Sequence, residues 1–316
     1  MRIFLLLLLL PGFIYAQKIE NMASFRDISG ERYFRLNYDN DFFTATDRNY
    51  TQGYNLEFVH PALQKNPMNH LFLKPKNTEN KYGLSIEHLG FTPRNYGSVE
   101  IQDGDRPFAS AIMLKSFSIK TNSLKKYRLN SSVSLGIIGP AAFGKEMQVG
   151  IHEATGNTIP LGWRNQIRND IIINYELGYE KLLLRSGNLF SLNSTANLKL
   201  GTLNTKASLG LNLAIGLINS PFEISDKKDA FKLYFYSQPL INVIGYDASL
   251  QGGVFNNSSP YTISSGEIER FTAQNNFGLV LQTSSLYFEY SRSLITREFS
   301  TGDSARWGGI RIGFKF

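Results

Sequence analysis

The last seven residues, Ile310-Arg311-Ile312-Gly313-Phe314-Lys315-Phe316, decide how the chain is read. Ile310, Ile312, Phe314 and Phe316 alternate with Arg311, Gly313 and Lys315. Successive side chains of a β-strand point to opposite faces, so a period of two gathers the apolar residues on one face. The pattern recurs upstream. Ile171, Ile173, Tyr175, Leu177 and Tyr179 stand against Asn174, Glu176, Gly178 and Glu180. Similar runs occupy 127–137, 190–200, 207–217, 231–235 and 286–290. Almost no helical pattern lies between them. The apolar face then has two possible homes, a second sheet or the lipid around a closed barrel.

Several features select the barrel. A terminal amphipathic strand ending on an aromatic residue resembles the recognition signal of outer-membrane barrels. The chain opens Met1-Arg2-Ile3-Phe4, then six leucines at 5–10, Pro11 and a small-residue exit at Tyr15-Ala16-Gln17. One positive charge, a short apolar run and an Ala before the cut describe a secretory signal peptide. The run is too short to cross a bilayer as a helix, which needs ~20 apolar residues. Residues 1–16 are therefore read as a signal peptide and 17–316 as one barrel domain.

The chain has no Cys, which excludes disulfides, a lipid-modified N-terminal Cys and thiolate zinc sites. Lys and Arg number 33 against 26 acids, but they are scattered. No basic stripe suits a nucleic acid. The 23 Phe and 16 Tyr, many at strand ends, suit aromatic girdles. A mean hydropathy of −0.20 fits a barrel, because lipid-facing and lumen-facing residues average out.

The periodicity predicts an all-β fold, a transmembrane antiparallel barrel of twelve strands. They fall near 31–42, 50–60, 81–92, 107–120, 127–138, 169–185, 188–201, 206–219, 230–246, 264–282, 286–297 and 306–316. An even number puts both termini in the periplasm and the odd-numbered connections outside. Arg35, Glu57, Glu87, Arg128 and Glu176 fall on the lumen face and predict a plugged lumen. The connection 61–80 is long for a periplasmic turn. A small interfacial helix is expected there, with Leu71, Phe72 and Leu73 dipping into the leaflet edge.

Chemistry-bearing residues collect in the first three outer connections. The first reads Asn40-Asp41-Phe42-Phe43-Thr44-Ala45-Thr46-Asp47-Arg48-Asn49-Tyr50-Thr51-Gln52-Gly53. Asp41 continues the lumen parity of Arg35, Asn37 and Asp39, and Asn40 the outward parity of Phe34, Leu36 and Tyr38. After the loop, Tyr50, Tyr54, Leu56 and Phe58 read as one apolar face. The second connection carries Arg94 and Asp103-Gly104-Asp105-Arg106. In the third, Gly139-Pro140 ends a strand and a short helix follows, stopped by Gly156. On that helix Gln148 and His152 share a face at i, i+4, beside an apolar face of Phe143, Met147 and Ile151. That apolar face could rest on the barrel wall or on acyl chains. An imidazole can take a proton from water, which makes His152 a candidate base. His60, His70 and His88 read as structural. No Gly-x-Ser-x-Gly elbow is present and no Ser pairs with His152. A water attack aided by a metal is therefore favoured over a serine nucleophile. The carboxylate and amide oxygens suit Ca²⁺, which takes 6–8 hard ligands, although their spacing is not that of an EF-hand.

Several ordered motifs resemble one family, the lipid A 3′-O-deacylases of Gram-negative outer membranes. They are Asn40-Asp41 and Thr46-Asp47-x-x-Tyr50-Thr51-x-Gly53; Asp105-Arg106-Pro107-Phe108-Ala109; Gly139-Pro140, Gly144, Gln148-x-x-x-His152 and Gly162-Trp163-x-x-Gln166; and Asp247-Ala248-Ser249-Leu250-Gln251-Gly252-Gly253. The resemblance runs nearly the whole mature chain. It implies a twelve-stranded barrel with its site at the outer rim, between the wall and a loop helix. It implies a Ca²⁺-dependent hydrolysis of an acyl ester on lipid A, the anchor of lipopolysaccharide. By the same carry-over His152 is the base, Gln148 its neighbour, Asn40 and Asp41 belong to the ion site, and Arg94 meets a lipid A phosphate. A monomer is expected. Phe108 stands in place of the usual Tyr, Ser110 of the usual Gly, and Asn49 of a common aromatic. Two rival readings remain: an outer-membrane phospholipase using the same residues, and a non-enzymatic pore or adhesin.

Overall fold

The computed structural model describes residues 20–44, 49–219, 222 and 231–316. Residues 1–16, read above as a signal peptide, and Thr46 and Asp47 lie outside the described residues. Twelve antiparallel strands close into one barrel, β1 (Tyr33–Asn40), β2 (Asn49–Val59), β3 (Glu79–Thr92), β4 (Ala109–Asn122), β5 (Tyr127–Ile138), β6 (Asp170–Ser186), β7 (Phe190–Gly201), β8 (Asn204–Leu217), β9 (Lys232–Asp247), β10 (Phe271–Gln282), β11 (Leu286–Ile295) and β12 (Ala305–Lys315). Each strand pairs with its neighbours in sequence and β1 closes on β12.

Most boundaries fall where the alternation put them. The exception is β10, expected from 264 and found from Phe271. In residues 264–270 the side chains bond locally instead. Ser264 donates to Glu267 from its backbone N (3.1 Å) and Oγ (2.6 Å), and Arg270 Nη2 donates to the Ser265 carbonyl (2.7 Å). Such bonds build a turn in place of a ladder.

The outward face carries an apolar row in register: Leu36, Leu56, Ile86, Leu114, Leu135 and Ile173 lie side by side on six successive strands. Aromatic residues edge it at both ends. Phe58 and Phe316 stack at 6.0 Å near the chain's end, and Tyr38 and Tyr54 at 4.9 Å near the opposite rim. This is the pattern of a lipid-facing band with girdles.

The lumen is filled, as expected. Arg35 pairs with Glu57 at 2.7 Å, Lys115 with Glu87 at 3.0 Å and Lys199 with Glu176 at 3.0 Å, all buried. Much of the filling comes from a source not foreseen. Residues 20–29 run up inside the barrel. Asn21 Nδ2 donates to Glu57 Oε2 (3.0 Å), Ser24 N to Glu180 Oε1 (2.8 Å), and Arg26 Nε meets Glu289 Oε1 (2.9 Å). Phe25 stacks on Tyr236 at 4.1 Å. Removing one partner of such a buried pair costs about 3–5 kcal/mol, since the other charge is left uncompensated. The segment is thereby locked in place.

One helix, α1 (Gly144–Thr155), stands in the connection between β5 and β6. It starts later than predicted, because Pro140–Ala142 forms a 3₁₀ turn and Phe143 is left-handed at φ 61°. It ends at Gly156, as expected.

Candidate active site at the rim opposite the termini

The buried residues of α1 are Gly144, Gln148 and His152. Their i, i+4, i+8 spacing makes one stripe along the helix. The stripe faces the barrel at β4: a Cβ on Gly144 would sit 2.4 Å from Ser110 Cβ. Only a glycine allows this approach. Phe143 is left 59 % exposed on the other side. Of the two places open to the apolar face, the wall is therefore taken by the polar stripe.

The motifs of the second and third connections interlock here. Trp163 is buried and lies 5.0 Å from the ring of Phe108. A Cβ on Gly162 would come within 2.3 Å of that ring. Trp163 Nε1 donates to Gln148 Oε1 at 2.7 Å. Gln148 is thus oriented by the tryptophan and not by the histidine, and its Nε2 is buried without a hydrogen-bond partner.

His152 is buried (6 % exposed), with Nδ1 2.6 Å from the Thr158 carbonyl oxygen and its ring edge-on to Tyr96 at 5.4 Å. A carbonyl can only accept, so Nδ1 carries the proton and Nε2 keeps its lone pair. No hydrogen bond to Nε2 occurs among the described residues. This is the tautomer a general base needs.

Asn40 is the last residue of β1. Its Nδ2 donates to the Tyr38 hydroxyl (2.8 Å) and its Oδ1 accepts from Phe42 N (2.7 Å). That local bond turns the chain out of the strand. Asp41 therefore leaves the lumen register predicted for it and opens a 3₁₀ turn (Asp41–Thr44), with its side chain buried at 1 %. The next strand departs from its predicted parity too. A β-bulge between Tyr50 and Gln52 flips it. Tyr50 points inward and packs on Trp307 at 4.7 Å, while Tyr54 points outward. The bulge brings the Thr51 and Thr92 hydroxyls to 2.5 Å. It also lays Gln52 over Gly90, with its Nε2 buried and unpaired. His88, read as structural, stands outward on β3 under the same loop. Its Nε2 lies 2.9 Å from the Ala142 carbonyl oxygen, and Nδ1 is buried without a partner. Gln52, His88 and Thr92 were missed as members of this polar patch, because a bulge leaves no mark on a two-residue period.

Asn40 ends β1, Asp41 follows it and His152 follows β5, so all three stand at the end of the barrel opposite the chain's end. Arg94 is on the same rim, but it turns to other partners: its guanidinium lies 2.9 Å from Asp303 and 4.0 Å from Asp105. Arg106 is buried, spans to Glu298 (3.1 Å) and Ser249 Oγ (3.1 Å), and covers the Phe91 ring at 4.4 Å. This gives the 247–253 motif a bracing role. Asp247 caps that helical turn, accepting from Ser249 N at 2.9 Å. Burial outweighs the Arg106 pair and pushes the Glu298 carboxyl up to about 7.

Among the described residues no group of three or more His, Cys, Asp or Glu could hold a metal. A cation here would rest on one carboxylate, Asp41, with amide and backbone oxygens. Ca²⁺ tolerates such a set and Zn²⁺ does not.

A twelve-stranded outer-membrane barrel, with a histidine-bearing loop helix laid on its wall, is the class these features define. The family model described as outer membrane protein LpxR matches residues 2–316, and the chain belongs to that family. It is the lipid A deacylase family that the motifs resemble. LpxR from Salmonella typhimurium superposes with a TM-score of 0.75 at 19% identity, over 90% of this chain and 100% of that one. The β domain of the Bordetella autotransporter BrkA gives 0.48 at 7% identity, over 91% and 100%. No curated protein sequence matches the chain.

Proposed function

We propose that this barrel is an outer-membrane hydrolase that removes an acyl chain, held as the 3′-acyloxyacyl ester, from lipid A at the extracellular rim. The observation that carries the reading is the His152 ring, held through Nδ1 on the Thr158 carbonyl with Nε2 left open. On the same rim, buried and unpaired, are the amide nitrogens of Gln148, on the same helix, and of Gln52, over Gly90. Buried polar atoms without partners are costly, and a polar ligand relieves them.

In this mechanism His152 Nε2 takes a proton from water as the oxygen adds to the ester carbonyl. The bond between that carbonyl carbon and the sugar 3′ oxygen then breaks. The leaving oxygen takes the proton back from the imidazolium, and a free fatty acid departs. Asn40 Oδ1 and Asp41 would hold a Ca²⁺ ion. When bound, that ion supplies positive charge for the oxyanion of the tetrahedral intermediate. Gln148 Nε2, aimed by Trp163, is a donor for the substrate. Arg94 meets a lipid A phosphate by exchanging Asp303 for it. The exposed Phe143 side of α1 faces acyl chains. The filled lumen speaks against the pore reading.

The test is a product assay in mixed micelles. Purified protein is given lipid A or phosphatidylethanolamine, and released fatty acid is identified. Release from lipid A supports the proposal. Release from the phospholipid alone would move the assignment to a phospholipase.

A further inference from the structure

The outward face of the barrel has one polar gap. On β4 and β5, toward the end where the termini lie, Ser116, Ser118, Lys120 and Ser131 point outward and are all buried. Residues 61–78 bury them. This segment lies on the outside of the wall as two 3₁₀ turns, Pro61–Lys65 and Pro67–Leu71, where a helix was expected. Asn66 Nδ2 donates to Ser116 Oγ (3.1 Å), Lys120 Nζ to the Leu73 carbonyl (2.6 Å) and Tyr175 hydroxyl to the Leu71 carbonyl (3.1 Å). Phe72 turns inward and is buried, while Leu71 and Leu73 stay 57 % and 50 % exposed.

Between this strap and the wall lies a cavity of about 390 Å³, whose lining includes Lys65, His70, Lys74, Asn80, Tyr82 and Lys120. No carboxylate lines it. Lys120 is 4 % exposed. Its ammonium has three N–H donors and one acceptor, the Leu73 carbonyl, and Lys74 is near enough to repel it. A buried cation without an opposite charge is costly, and an anion in the cavity supplies that charge. The exposed Leu71 and Leu73 beside it suit an anion that carries acyl chains. Basic pockets at headgroup depth bind lipid phosphates on this principle.

We propose that this cavity binds a phosphate anion, supplied by an anionic glycerophospholipid of the inner leaflet. The site is remote from His152 and does not depend on the reading of the rim. The experiment is native mass spectrometry of the full protein in a neutral detergent, titrated separately with phosphatidylglycerol, phosphatidylcholine and inorganic phosphate. One phosphatidylglycerol is expected to be retained, at least tenfold more tightly than the other two. Lys120→Met and the double variant Lys65→Glu/Lys74→Glu are each expected to lose at least tenfold in that affinity. The double variant alters exposed side chains, so it reports on the site even where Lys120→Met does not fold. Heat-modifiable electrophoretic mobility checks the barrel. Inorganic phosphate bound as tightly as the lipid would overturn the lipid source. Undiminished retention by the double variant, or equal retention of phosphatidylcholine, would overturn the site.

Discussion

His152 Nδ1 lies 2.6 Å from the Thr158 carbonyl oxygen, and this contact fixes the free nitrogen of the ring. The helix ends at Gly156 and the chain turns back within two residues, so the carbonyl that orients the base comes from the helix's own exit. No side chain has to supply it. The first two predictions concern how α1 is held around this pair.

Trp163→Phe keeps the ring packed on Phe108 but removes the donor to Gln148 Oε1. A buried acceptor left unpaired costs about 1–3 kcal/mol. Turnover is expected to fall while the barrel keeps its heat-modifiable mobility, and protease should cut more readily within 144–166. An unchanged cleavage rate would mean that Gln148 is not held through this bond.

Gly144→Ala would drive a Cβ to 2.4 Å from Ser110 Cβ. Overpacking of this kind costs about 1–3 kcal/mol, and here it lifts α1 from the wall. Activity is expected to drop at least tenfold, and Ser110→Gly in the same chain should restore part of it, because Trp163 Cη2, 2.8 Å from the added Cβ, remains. Failure of that rescue in a kcat measurement would place the clash elsewhere.

Arg94 is 2.9 Å from Asp303. If a substrate phosphate displaces that carboxylate, Asp303→Asn lowers KM for phosphorylated lipid A and leaves kcat unchanged. Arg94→Ala raises KM. Dephosphorylated lipid A should be indifferent to both. Equal effects on the two substrates would remove Arg94 from the phosphate site.

Glu298 gives a pH dependence. Burial raises its carboxyl from 4.5 to about 7, with Arg106 opposing. The folded state then holds the proton more tightly than the unfolded state. Its contribution to stability is full below about pH 4.5 and is lost as pH rises through about 7. Protease cleavage of the loop between β11 and β12 should therefore quicken from pH 5 to pH 8. Glu298→Gln, which keeps an acceptor without the charge, should flatten the profile. A variant as pH-sensitive as the parent would contradict this.

The barrel was legible because lipid on one side and filled lumen on the other impose a two-residue period over long strands. Where that period breaks, the reading failed. The Tyr50–Gln52 bulge put Tyr50 inside, and the Asn40 side chain ended β1 two residues early and moved Asp41 off the lumen register. His152 and Gln148 were found through helical spacing. Their partners, the Thr158 carbonyl and the Trp163 indole, come from a returning loop that no period describes. The lumen segment 20–29 was missed for the same reason, since it is neither strand nor helix along most of its length. The 61–80 connection was recognised as unusual, but the polar stripe it covers was hidden within the apolar parity of β4 and β5.

The most direct measurement is the lipid A mass spectrum of Gram-negative cells expressing the protein or its His152→Gln variant, both verified as folded in the outer membrane. The account predicts that the parent shifts lipid A by the mass of one acyloxyacyl group, and that the variant leaves it unshifted, a loss of at least 10²-fold as expected for removing a general base. A variant that deacylates as well as the parent would contradict the central role given to His152.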